Sequence, residues 1–238
     1  MNPAPPTPPP LPPFAPAAPA AGLAPGGDLA RGFYLVFWGL LLMVSLLMTH
    51  ATLEVFHGFR VPAYVLGSLV LAWGVSILKQ AGPPARHWQI RVRLTLGLVL
   101  LQIYFAPFTV WWREAPQTLY FFVNVWFLLL TTLLGLLMIN VLAALTAQRV
   151  RNRDEEAEAW LFAAGVVVLM IVPLLMVSLA GFLISLRDDT SFAAEVWSMV
   201  DRVPPWLFMT FTLPCSLTLV SAWKAGKLAR RFSRREAA

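Results

Sequence analysis

A chain of 238 residues that is 58% hydrophobic and only 13% charged has too little polar surface for a dissolved globular domain, which carries about 25% charged residues. The net charge of +6 does not point to nucleic acid, because the basic residues stand at the ends of apolar blocks, where they serve as topology signals and contacts to anionic lipid. With Cys215 as the single cysteine, an intrachain disulfide is excluded.

Residues 1–27 hold eleven of the 20 prolines, together with alanine and glycine. Such a stretch cannot bury enough apolar surface to offset the entropy of ordering. A disordered cytoplasmic tail with polyproline II character is expected over 1–32. It has neither the basic start nor the compact apolar core of a signal peptide.

Apolar blocks come next at 33–56, 61–78, 92–112, 119–147, 159–186 and 204–223. A helix needs about 20 apolar residues to cross a bilayer. Only helices and closed barrels satisfy their backbone groups in lipid, and a barrel would show short alternating strands instead. The expected fold is all-α: a polytopic integral membrane protein with six transmembrane helices over 33–224, arranged as three helical hairpins. A basic cytoplasmic tail, 225–238, completes it. With both termini inside, all but four of the 18 lysines and arginines fall on the inner side; the outer four are Arg60, Arg113, Arg187 and Arg202.

Two blocks share a frame. Arg60-Val61-Pro62 opens one and Lys79 closes it; Arg202-Val203-Pro204 and Lys224 do the same for the other. Proline is tolerated in a helix's first turn, and Ala-Gly after each lysine is expected to end the helix. Upstream, Glu54-Val55-Phe56 echoes Glu195-Val196-Trp197. Duplication of a hairpin would produce this, and so would convergence of two inward-running helices on the same flanks.

The charged inner connection 148–158 favours helix, extending its neighbours into water. The outer connection 187–203 places Phe192, Val196, Met199, Val200 and Val203 at helical spacing, which predicts a short amphipathic helix on the outer surface.

Three groups of residues could carry chemistry. His50, Glu54 and His57 are spaced by four and three, so they share a helix face at about 100° per residue. They form a candidate ligand or proton site, and His50 with His57 could hold haem or a metal. Their place near the outer boundary also suits a hydrated patch in which Glu54 pairs with Arg60 or Arg113. Small residues form a second group: Gly67, Ser68, Ala72 and Ser76 in the second block, and Ser178, Gly181 and Ser185 in the fifth. Small side chains let helix backbones approach in lipid. The third group is polar: Gln102, then Asn124, Thr131 and Gly135 on one face of the fourth block, with Asn140 pointing elsewhere. Pro107, Pro173 and Pro214 should kink their spans, so these amides could line a cavity or tie helices together.

No block has a central Asp, Glu, Lys or Arg, which proton-coupled transporters and pumps need. Nor is there a phosphate-binding glycine loop or a GxSxG nucleophile setting. The sequence favours a non-enzymatic scaffold or accessory subunit of a membrane complex. A small-solute transporter or channel is the alternative, and a haem- or metal-binding redox protein at His50, Glu54 and His57 the second. No cofactor is otherwise expected. The partners expected are the bilayer, a membrane protein or a second copy, and anionic lipid at Lys224, Lys227, Arg230, Arg231, Arg234 and Arg235. The Ala-, Pro- and Arg-rich composition suits a bacterial inner membrane.

Overall fold

A computed structural model describes residues 26–52, 60–115, 118–188 and 212–236, with side chains over 27–45, 64–112, 114–115, 118–184 and 212–233. Among the described residues the secondary structure is helical, without a strand. The order is α1 (Gly26–Thr52), α2 (Arg60–Ala81), α3 (Arg86–Phe105), α4 (Phe108–Glu114), α5 (Leu119–Arg149) and α6 (Arg153–Val166). A π-helical turn (Val167–Ile171), α7 (Val172–Asp188) and α8 (Thr212–Glu236) complete it.

Among the described residues, four stretches are long and apolar enough to cross a bilayer: 27–45 in α1, 64–81 in α2, the whole of α5, and 153–184 across α6, the π turn and α7. They coincide with four of the six expected blocks. Block 92–112 is divided between α3 and α4 at Ala106–Pro107. Block 204–223 begins outside the described residues and ends in α8, whose later half is basic.

Each interruption has a local cause. Pro107 has no N–H to continue the helical ladder. The chain turns there through Thr109 N to Ala106 O at 3.2 Å and Val110 N to Pro107 O at 3.1 Å. The Thr109 hydroxyl adds a bond to the Ala106 carbonyl at 2.7 Å. At Pro173 the expected kink takes another form: the π turn ends two residues earlier, widening the helix where a proline would crowd the preceding turn. The expected kink at Pro214 concerns a residue in the first described turn of α8.

Between α5 and α6, Arg151 takes a left-handed φ of 58° that turns the chain. Asn152 then caps α6, its side chain accepting from Glu155 N–H at 3.4 Å, and Asp154, Glu155 and Glu156 occupy the first turn.

Both expected helix boundaries near the termini move outward. Residues 26–32, placed in the disordered tail from sequence, belong to α1, where Leu29, Ala30 and Phe33 are buried. Residues 1–25 and the expected outer helix within 187–203 lie outside the described residues, except for the end of α7. Ala-Gly does end α2, since Gly82 precedes Pro83 and Pro84. It does not end α8, which runs through Ala225-Gly226 to Glu236. The difference lies in the residues after the glycine: Lys227, Leu228 and Ala229 are good helix formers, and Ala225, Leu228 and Ala229 are buried.

The bundle is built on α1 against α2 and α8, α3 between α2 and α5, and α5 against α6 and α8. Phe33, Val36, Val75, Val99, Ile139 and Leu142 make its centre, none more than 2% exposed. The stretches in α1, α2 and α5 are 44, 44 and 61% buried, whereas the run from α6 to α7 is 11% buried. That run shows Leu161, Val168, Leu169, Met176, Leu179 and Leu183 to the outside.

Candidate functional site

Helices α1 and α2 come into direct backbone contact. A Cβ placed on Gly39 would lie 2.7 Å from Leu71 N and 2.9 Å from Gly67 O. One placed on Gly74 would lie 2.7 Å from Val36 N and 2.9 Å from Gly32 O. Gly32 and Gly39 on α1 therefore meet Gly74 and Gly67 on α2 in antiparallel register, backbone against backbone. Contacts of that kind admit Cα–H···O bonds and dense dispersion packing. Ser68 is buried beside this seam, its hydroxyl donating to Met43 Sδ at 3.9 Å. Ala72 is buried, and the Ser76 hydroxyl donates to the Ala72 carbonyl at 2.8 Å. Of these residues, Gly67, Ser68, Ala72 and Ser76 stand out in the sequence. Gly32, Gly39 and Gly74 do not, because their signal is a spacing of seven that recurs in two different helices.

In the second small-residue group, Ser178 donates to Leu174 O at 2.8 Å within its own helix. Gly181 is buried, and the side chain of Ser185 lies outside the described residues. Ser178 also borders an apolar hollow of about 240 Å³ lined by Phe122, Val123, Trp126 and Phe127.

The polar group divides. Gln102 is 1% exposed and crosses from α3 to α5, donating from Nε2 to the Thr131 carbonyl at 3.2 Å. Gly135 leaves room for it: a Cβ there would stand 2.9 Å from Gln102 Nε2. The hydroxyl of Thr131 turns back to its own helix, donating to Phe127 O at 2.8 Å. Asn124, grouped with Thr131 from sequence, is half-buried and donates to Tyr120 O at 2.7 Å. It takes no part in the Gln102 contact. Asn140, fully buried, ties α5 to α8 through Nδ2 donating to Thr218 Oγ1 at 2.8 Å. Thr218 in turn donates to Pro214 O at 2.8 Å. The buried oxygens Gln102 Oε1, Asn140 Oδ1 and Ser221 Oγ have no partner.

One turn beyond Thr218, Ser221 borders a cavity of about 10 Å³ between α5, α6 and α8, with Glu155, Glu158 and Lys224 on its wall. The Lys224 ammonium bonds the Glu158 carboxylate and lies 3.5 Å from Glu155 Oε2. The hydrogen bond to Glu158, aided by the charge of both carboxylates, pushes the Lys224 pKa up. Lys224, grouped with the lipid-facing cations from sequence, is thus engaged by α6. Lys227 and Arg230 stand instead over the rings of Trp223 and Tyr34. Arg234 and Arg235 continue α8, with side chains outside the described ones.

Of the histidine group, His50 falls in the last turns of α1, but its side chain lies outside the described residues, as do Glu54 and His57 altogether. Among the described residues no three His, Cys, Asp or Glu side chains are grouped to hold a metal ion. Comparison with known protein families, characterised proteins and solved structures finds no match to this chain.

Proposed function

We propose that this chain is a six-span integral membrane protein of a bacterial inner membrane, arranged as three hairpins with both termini inside. In this reading it works as a non-enzymatic scaffold or accessory subunit of a membrane complex. The observation that carries the reading is the uncovered run from α6 to α7. It is long and apolar enough to cross, yet only 11% of it is buried, against 44% or more in the other three stretches. Packing rather than hydrophobicity joins helices in lipid, so a long exposed apolar wall suits a neighbouring membrane helix.

The interior polar groups support the same view. Gln102 joins α3 to α5, and Asn140 joins α5 to α8. Their donors serve architecture, as expected where unsatisfied groups in hydrocarbon are expensive. The six-span arrangement itself rests on the distribution of lysine and arginine and on the expected blocks at 92–112 and 204–223.

A photo-crosslinking amino acid at Leu179, which is 53% exposed on α7, tests the proposal in intact membranes. A discrete crosslinked polypeptide, either a second membrane protein or a second copy, is the expected product. The same probe at Leu100 on α3, 53% exposed, should give lipid adducts alone. If Leu179 also gives only lipid adducts, the scaffold reading fails.

A further inference from the structure

Rings and cations come together where the start of α1 meets α8. Tyr34 and Trp223 meet edge to face with centroids 5.1 Å apart, and the Phe37 ring lies tilted with its centroid 5.1 Å from that of Trp223. Gly226 lets α8 come close, since a Cβ there would stand 3.3 Å from the Tyr34 ring. Above these rings lie two cations one turn apart on α8. Lys227 Nζ is 5.2 Å from the Trp223 centroid, and Arg230 Cζ is 5.0 Å from that of Tyr34.

We propose that this cluster, Tyr34 and Trp223 with Lys227 and Arg230, binds the phosphate headgroup of an anionic phospholipid. Four observations point there. First, both cations are exposed, and among the described residues the only ion pairs are those of Lys224. Lys227 and Arg230 are therefore positioned by rings while no described carboxylate takes up their N–H donors. Second, Arg31, one turn before Tyr34 on α1, and Arg231 are exposed as well, and the one acidic group nearby on α1 is Asp28 in its first turn. On the neighbouring α6, Asp154, Glu155, Glu156 and Glu158 are acidic, and Lys224 engages Glu155 and Glu158. Third, aromatic rings at the boundary of a membrane protein sit at headgroup level, where a phosphodiester lies and where anionic lipid attracts each basic residue. Fourth, the rings continue into an apolar surface toward the bilayer: Trp38 is 54% and Leu42 39% exposed on α1, and Val220 42% on α8. Acyl chains have a surface to lie on where the headgroup is held.

The chemistry is simple. A cation over a ring face keeps its outward N–H groups free, and the guanidinium of Arg230 can offer two of them to phosphate oxygens at once. Ring contact fixes both cations before the lipid arrives, which reduces the ordering the lipid must impose. The contrast is with Arg91 and Arg93 on α3. They belong to the same expected membrane face, and among the described residues no ring lies over either. The inference stands apart from the scaffold reading, because it needs only that the chain sits in a bilayer.

Native mass spectrometry of the full-length protein, released from nanodiscs of phosphatidylcholine with a minor share of phosphatidylglycerol, tests it. The wild type should retain phosphatidylglycerol in preference to phosphatidylcholine. The Lys227→Gln/Arg230→Gln variant should lose that retention by about tenfold, the order expected on losing a charge-assisted hydrogen bond to phosphate. Arg91→Gln/Arg93→Gln, with the same change in charge away from the bound lipid, should shift it by less than about twofold at physiological ionic strength, where separated charges are screened. Tyr34→Leu should weaken it without any change of charge, and Lys227→Arg/Arg230→Lys should restore most of it. Circular dichroism reports whether each variant keeps its helices. Equal losses in the two charge-removing variants would show diffuse surface attraction and overturn the proposal, as would equal retention of the two lipids. Displacement of the lipid by millimolar inorganic phosphate would overturn it as well, by assigning the site to the free ion.

Discussion

Glycine 39 shows how far a single atom matters in this protein. A methyl group there meets backbone, Leu71 N at 2.7 Å and Gly67 O at 2.9 Å, and backbone cannot rotate away as a side chain can. Gly39→Ala is expected to force α1 and α2 apart and lower stability by about 1–3 kcal/mol. The comparison is Gly97→Ala, where nothing stands within 4 Å of the added atom; helix propensity alone should leave that variant unchanged or up to about 1 kcal/mol more stable. Unfolding by titrated denaturing detergent, monitored by circular dichroism, measures both. Equal effects at the two positions would show that the seam does not constrain the pair.

At the scale of elements, the ion pairs of Lys224 join α8 to α6 across a separation of 66 residues. The partner raises the Lys224 pKa, so the sign is that of a cation stabilised by folding. Its contribution is present in full below the ordinary lysine pKa of 10.5 and is lost as pH climbs through the higher folded value. The side chains of Lys224 and Glu158 are 35 and 33% exposed, so screening holds the term to about 1 kcal/mol or less. Lys224→Met should therefore be slightly less stable than the wild type near neutrality, and the gap should close in strong alkali. Stability curves of the two proteins at several pH values give the answer. This contact illustrates what the sequence could and could not disclose. Pro107 acts within a few residues of itself, and its effect on the helix end can be read locally, whereas the break capped by Asn152 falls inside a connection that reads as helix. The apolar length of α5 can be read locally too. Lys224 reads as one more cation in a basic tail, because nothing near it in the chain reveals Glu158. Gln102, Thr131 and Gly135 are each conspicuous, yet only the packing of α3 on α5 makes them one contact and leaves Asn124 out of it. The glycines of α1 are hidden for the same reason: a gap acquires meaning when its partner helix is known.

For the whole molecule, the proposed six-span arrangement predicts a definite pattern of sidedness. In a background with Cys215→Ser, Ala115→Cys should react with a membrane-impermeant maleimide in intact cells. Pro84→Cys and Gln148→Cys should react only after the cells are opened. All three positions lie at ends of described helices, between α2 and α3, after α4, and at the close of α5. Labelling of Ala115→Cys from inside would mean that α3 and α4 do not cross together, and the span count would fall. A cysteine in place of Glu236 should be protected outside in the same way, which bears on α8 and the segment before it.

The wide turn at Val167–Ile171 governs which stripe of α7 the protein offers to its surroundings. An α-helix accommodating one surplus residue advances the phase of everything after it by about 100°. Removing one valine from that turn would let the α-helix run uninterrupted, and the span would still reach across. Leu175, Leu179 and Phe182 would then swing to another compass bearing, so that a neighbour fitted to the present stripe would meet an unfamiliar one.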